Sequence, residues 1–294
     1  MSVVICVRDG AHVIGAQLEA LREQMTEVAW EVVVADNGST DGTAGMVREA
    51  IHGFPVPLRL IDASSRAGSS HARNAGALAA EGGVIAFCDC DDVVGAGWVQ
   101  AAYTAAQQAD MVGGSLRELL SPFRSDSPLI EGRAFTQASF GTAVLSCNFA
   151  ASREGFLRIG GFDESLPPYG CEDVELSMRA NEAGLSIAEA PMMLVYFRRT
   201  TRPRDVLRKT YHSAQAEAVV WHRHRDLYGA RIRPQRLVWR VMEIPVVLAR
   251  GSRGAHSVKG LLRDAVTRVG NLVGYWRFVR GDRAGAPLLI GQCD

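Results

Sequence analysis

Val84-Ile85-Ala86-Phe87-Cys88-Asp89-Cys90-Asp91-Asp92 reads as an apolar strand that runs directly into three carboxylates. Carboxylates crowded at a strand end repel one another, and a hard cation is the natural remedy. Oxygen donors suit Mg²⁺ or Mn²⁺, which complete their shells with phosphate and water. The competing reading is a solvated acidic turn. Zinc is disfavoured, because Cys88 and Cys90 stand one residue apart with no further Cys/His pair to close a tetrahedron.

Outward from that strand, short apolar runs at 3–7, 32–35 and 58–61 alternate with helical patterns through Leu18 and Leu21, over about 40–52, and over 72–80. A further helix is expected over about 97–109. This rhythm implies an α/β fold with a mostly parallel sheet and crossover helices. Ligands of such sheets lie beyond the carboxyl ends of the strands. Arg8 and Asp9, Asp36 and Asn37, and the Asp89–Asp92 cluster all fall there. Residues 1–110 therefore read as a nucleotide-binding half and 111–199 as an acceptor half. Within the latter, 121–145 reads as a Ser-, Pro- and Gly-rich loop, and Gly160-Gly161-Phe162 leads to a helix over about 171–183. A linker is expected near Thr200 to Pro203, and 200–294 is expected to be helical. No internal repeat is visible.

The chain has 294 residues, 47% apolar and 22% charged, so a packed core is expected and extensive disorder is not. Six scattered cysteines without a CxxC pair, and an opening that lacks a basic-plus-apolar leader, point to the cytoplasm. The sequon Asn37-Gly38-Ser39 is then without consequence. The longest apolar stretch, 241–249, is interrupted by Glu243 and Pro245 and is far below the roughly 20 residues of a membrane span. Net charge is zero but unevenly placed. Residues 1–197 carry 12 Lys/Arg against 25 Asp/Glu, and 198–294 carry 20 against 7.

Other polar groups each have a plain reading beside the chemical one. Asp36-Asn37-Gly38-Ser39-Thr40 makes a strand-to-helix turn with Ser39 or Thr40 as cap, yet its polar side chains also suit a base or ribose. Arg73 suits a base or diphosphate. His71 reads as a surface or internally satisfied histidine. Glu172-Asp173 at a helix start is favoured by the backbone dipole, or else supplies a general base.

Taken in order, the strand ending in Arg8-Asp9, Asp36-Asn37-Gly38-Ser39, Ala72-Arg73-Asn74-Ala75-Gly76, Asp89-Cys90-Asp91-Asp92, Gly160-Gly161-Phe162-Asp163 and Glu172-Asp173 resemble family 2 glycosyltransferases over roughly residues 1–198. The resemblance implies a GT-A fold and inversion at the anomeric carbon. It places Val7, Asp36, Asn37, Arg73 and Asp89 at the nucleotide sugar, Asp91 and Asp89 at the metal, and Asp173 as base with Glu172 beside it. Asp92 is expected to support the metal site from behind. Three positions depart from the family pattern. Asn37 replaces a common second Asp and leaves UDP, dTDP and GDP open. Cys6 replaces a common proline. Tyr196 or Phe197 stands where many members have a metal-binding histidine, so water is expected to complete the shell.

Beyond Thr200, apolar positions such as Leu237, Trp239, Val246, Leu261 and Leu272 interleave with Arg236, Arg240, Arg250, Arg263, Arg268 and Arg277. That pattern fits a helical region lying on the inner face of the cytoplasmic membrane, or one packed on a partner. Nucleic acid is disfavoured, because the acidic body repels phosphates. The expected activity is transfer of a sugar from a nucleoside-diphosphate sugar to a hydroxyl of a lipid-linked glycan or other hydrophobic acceptor, in cell-envelope or glycan biosynthesis. The alternatives are a non-catalytic nucleotide-sugar-binding scaffold and, less favoured for want of a basic glycine-rich phosphate loop, a nucleotidyltransferase.

Overall fold

The computed structural model describes residues 1–130, 135–138, 141–167, 169–251 and 258–291. The chain divides into two compact units, one made of Met1–Glu164, Asp173–Arg199 and Leu289–Asp294, the other of Ser165–Glu172 and Thr200–Leu288.

The first unit contains, in order, β1 (Ser2–Val7), α1 (Ile14–Arg22), β2 (Glu31–Asp36), α2 (Thr43–Ile51), β3 (Leu58–Asp62), α3 (Ser69–Ala79), β4 (Val84–Asp89) and β5 (Val93–Val94). It continues through α4 (Trp98–Ala105), β6 (Met111–Glu118), β7 (Phe135–Ala138), β8 (Gly141–Val144), β9 (Asn148–Ser152), α5 (Arg153–Arg158), α6 (Glu172–Glu182) and β10 (Ile187–Phe197). Among the described residues the main sheet runs β3-β2-β1-β4-β9-β6-β10-β5. The β1–β4 half is parallel, and β9 and β5 run against their neighbours. This is the mixed, mostly parallel sheet with flanking helices expected for a GT-A fold.

Core layers lie on both faces of the sheet, which is why β1, β2 and β4 are apolar apart from their end residues. Val3, Ile5 and Val7 join one core layer with Val32, Val34 and Trp98, and Val4 joins the other with Val33, Ile85 and Phe87. The second layer is aromatic. Phe87 stacks on Phe149 at 4.6 Å, and Phe162 meets Phe87 edge-on at 5.8 Å. Such contacts contribute beyond their buried area, and they fix where the Gly160-Gly161-Phe162 segment lies. Gly76 lets α3 approach β1 closely, since a Cβ there would overlap the Val4 side chain.

Two local expectations change. Within 121–145, read as a loop, Phe135–Ala138 and Gly141–Val144 pair antiparallel as β7 and β8; cross-strand pairing outweighed a turn-like composition. Neither Ser39 nor Thr40 caps α2, whose N-cap is Gly42 at φ +92° with no side-chain cap.

The second unit is helical: α7 (Pro203–Arg223), α8 (Arg225–Tyr228), α9 (Pro234–Met242), α10 (Ile244–Gly251), α11 (Val258–Gly274) and a π-helical turn at Tyr275–Val279. Buried Trp221, Leu237 and Leu261 belong to its interior. Among the described residues, no helix is long and apolar enough to cross a membrane.

Candidate active site

The parallel register brings three strand ends together. Val7 lies opposite Asp36, and Cys6 lies between Ala35 and Asp89. Val7 keeps its side chain in the core and accepts the Asn37 N–H on its carbonyl at 2.8 Å, so main chain is what it presents at the strand end. The first two loops are stitched together. Asp9, at φ +51°, accepts from Thr40 N–H at 2.8 Å and donates its own N–H to Ser39 Oγ at 2.9 Å. Asp41 accepts from Ala11 N–H and from the Thr43 hydroxyl, and these bonds hold its carboxyl below the usual range, the hydroxyl foremost. Ser39 and Thr40 thus tie loops where a cap was expected.

Asp36 accepts Ser39 N–H at 2.9 Å. Buried Asn37 donates to the carbonyls of Ala63 and Arg66 and accepts from Gly68 N–H at 2.9 Å. All its amide atoms therefore organise the loop before α3, a role that only an amide, donor and acceptor at once, can fill.

The acidic cluster follows β4. Arg73, 5% exposed, donates to Asp89 Oδ1 at 2.8 Å and lies over the Phe162 ring at 5.5 Å. Gln17 ties the Asp89 carbonyl to Val94 N–H. Asp92, 1% exposed, accepts Arg198 N–H on Oδ1 at 2.7 Å, while its Oδ2 is buried without a hydrogen-bond partner. Burial first, then the charges of Asp89 and Asp91, push the Asp92 carboxyl well up. One ligand oxygen from each of Asp89, Asp91 and Asp92 falls within 4.8 Å of the others. An all-oxygen donor set and an orphaned carboxylate oxygen fit a hard divalent cation.

The sequence reading named Asn74 only within a motif and did not single out Glu164, and the work of both is structural. Asn74 accepts Phe162 N–H and donates to Phe162 O and Glu164 Oε1, each at 2.8 Å. Glu164 also meets His71 Nδ1 at 2.8 Å, and the other ring nitrogen meets Ser65 Oγ at 2.8 Å, so His71 is internally satisfied. Gly161, at φ +63°, has room for no side chain against Asn74 and Ile290.

Asp173 is half-buried near the start of α6; its main-chain carbonyl accepts the Ser177 hydroxyl at 2.7 Å. Glu172 precedes it and groups with the second unit. Cys147 is buried in the core. Its thiol is pushed well up by burial, then by the charges of Asp89, Asp92 and Asp173, with Arg73 opposing. Arg198, which sequence reading passed over, donates from Nε to the Asp91 carbonyl at 2.9 Å.

Residues 2–140 match the family model "Glycosyl transferase family 2", and 129–203 match "N-terminal domain of galactosyltransferase". Residues 2–140 carry a glycosyltransferase family 2 domain. Similar proteins include validoxylamine A glucosyltransferase of Streptomyces hygroscopicus subsp. jinggangensis, 29% identical over 63% of this chain and 52% of that one. Glycosyltransferase AglE of Haloferax volcanii is 27% identical over 75% and 74%. The chain therefore spans about half of the first relative's length and three quarters of the second's. Among solved structures, the Pyrobaculum calidifontis mannosyltransferase PcManGT, in complex with GDP-Man and Mn²⁺, superposes with a TM-score of 0.59 at 18% identity over 98% of this chain and 76% of that one. The structural likeness gives a GT-A fold, and the family model a family 2 domain within it.

Proposed function

We propose that this chain is an inverting glycosyltransferase that moves a sugar from a nucleoside-diphosphate sugar to an acceptor hydroxyl. The observation that carries this reading is the cluster of Asp89, Asp91 and Asp92 at the end of β4, whose ligand oxygens lie within 4.8 Å of one another beside the Arg73–Asp89 ion pair. It supports a site for a divalent cation and the diphosphate of a donor. Asp173 takes the acceptor proton as that oxygen bonds to the anomeric carbon, and the bond from that carbon to the diphosphate oxygen breaks with its electron pair leaving on the diphosphate. Asp91 and Asp89 would hold Mg²⁺ or Mn²⁺, with Asp92 behind them; the ion supplies charge stabilisation to the leaving diphosphate. Arg73 orients Asp89 through its 2.8 Å hydrogen bond. Asp36 and the loop that Asn37 organises receive the nucleoside, and Glu172 adjoins the acceptor.

The acceptor is a lipid-linked glycan or another hydrophobic molecule met at the inner face of the cytoplasmic membrane. Support comes from the second unit, where Val238, Trp239 and Met242 on α9 and Leu262 on α11 are exposed beside exposed Arg236 and Arg263. Apolar anchors flanked by arginines suit an anionic interface.

A screen of nucleotide sugars with Mn²⁺ tests the reaction. Asp173→Asn is expected to cut transfer about 10³-fold while nucleotide binding stays within about threefold; full activity in that variant would remove the mechanism. Co-sedimentation with phosphatidylglycerol vesicles tests the docking. Trp239→Ser/Met242→Ser is expected to leave most of the protein in the supernatant, and partition equal to wild type would remove the membrane claim.

A further inference from the structure

We propose that Arg198 is the residue that grips the departing nucleoside diphosphate, its guanidinium fork taking oxygens of the outer, sugar-bearing phosphate. The inference rests on the donor reading above and adds a residue that no motif marks.

Arg198 follows β10, whose antiparallel pairing with β5 sets Val195 opposite Val94 and Tyr196 opposite Val93. Continuing that register by two residues brings 198 opposite 91. The contacts agree. Arg198 N–H donates to Asp92 Oδ1 at 2.7 Å, and Nε donates to the Asp91 carbonyl at 2.9 Å. The main-chain bond fixes the root of the side chain whatever the side chain is, and the Nε bond fixes the guanidinium plane beside the acidic cluster. The terminal amino groups form the planar fork that matches two phosphate oxygens.

The two arginines bonded to this cluster differ in kind. Arg73 is buried and committed to Asp89, whereas Arg198 is exposed and so lies where a ligand arrives. The sequence has Tyr196-Phe197-Arg198 where a neutral metal ligand was looked for. Tyr196 instead donates its hydroxyl to the Ser125 carbonyl at 3.2 Å. A fixed cation next to the metal carboxylates does by direct charge-assisted hydrogen bonding part of what a further metal ligand does through the ion.

The test is calorimetric titration of the full chain in Mn²⁺ with UDP, GDP and dTDP and the matching monophosphates, comparing wild type with Arg198→Met and Arg198→Lys. A hydrogen bond between charged groups is worth about 1.5–3 kcal/mol. Arg198→Met is therefore expected to weaken whichever diphosphate binds by about 10- to 100-fold. Its effect on the monophosphate should stay under about threefold, and Arg198→Lys should recover part of the loss. Melting temperature in the absence of nucleotide should hardly move, because the main-chain bond to Asp92 persists. Equal losses for mono- and diphosphate, or no loss, overturn the assignment while leaving the donor reading intact. Failure of wild type to bind any of the diphosphates overturns both.

Discussion

Two groups of acids sit at neighbouring strand ends and differ in how their oxygens are answered. Asp9, Asp36 and Asp41 receive backbone N–H and hydroxyl donors from adjoining loops, and Asp41 is more acidic than usual as a result. Asp89, Asp91 and Asp92 stand within 4.8 Å of one another; one Asp92 oxygen is buried with no partner and its carboxyl is pushed up. The first group stitches the loops, and Asp36 keeps one bond to Ser39 N–H beside the proposed nucleoside site. In the second, Arg73 answers Asp89 but one Asp92 oxygen is buried without a donor, and it is here that the proposed cation would bind. Counting acids does not separate structure from site; counting their donors does.

The strongest challenge to this contrast pairs Asp91→Ala with Asp41→Asn. The first is expected to abolish Mn²⁺ binding in calorimetry and lower transfer about 10³-fold, and the second to leave both within about threefold. Equal losses would break the contrast. Next in size, Asn74→Ala strips buried partners from Phe162 and Glu164, and chemical denaturation should record about 3 kcal/mol of lost stability.

The smallest effects carry opposite signs. Asp41 has a depressed folded pKa, so its stabilisation is present above the ordinary carboxylate value of 3.8 and disappears as pH falls through the folded pKa. Asp41→Asn should melt below wild type at pH 7, with the gap closing below about pH 4. Asp92 has a raised folded pKa, so its contribution is full below 3.8 and is lost as pH rises. In EDTA, Asp92→Asn should melt above wild type at pH 7, again with the gap closing in acid, and Mn²⁺ should reverse the order. In the helical unit, burial raises the Glu217 carboxyl. Glu217→Gln should accordingly gain on wild type from pH 5 to 8 in the same melts.

Much of this was legible in the sequence because it is local. The β1–β4 strands announce themselves as apolar runs, and Asp89, Asp91 and Asp173 sit inside motifs whose order survives in one dimension. What was not legible depends on pairing across long separations. Arg198 acquires meaning only because β10 runs beside β5, about a hundred residues away in sequence. Asn37 looked like a base-reading side chain until the loop before α3 closed on all of its polar atoms. The β7–β8 hairpin was hidden by a composition that suits turns.

Leu289 and Ile290 return from the far side of the helical stretch to the first unit, where Ile290 N–H bonds the Gly160 carbonyl at 2.8 Å and its side chain packs against the aromatic layer. Along the chain, residues 200–288 of the helical unit are thus inserted between segments of the first unit. A ribosome must deliver residues 200–288 before the segment that seals Gly160 and Gly161 exists. Assembly of the transferase unit is therefore a late event in synthesis, with the aromatic layer incompletely covered until then.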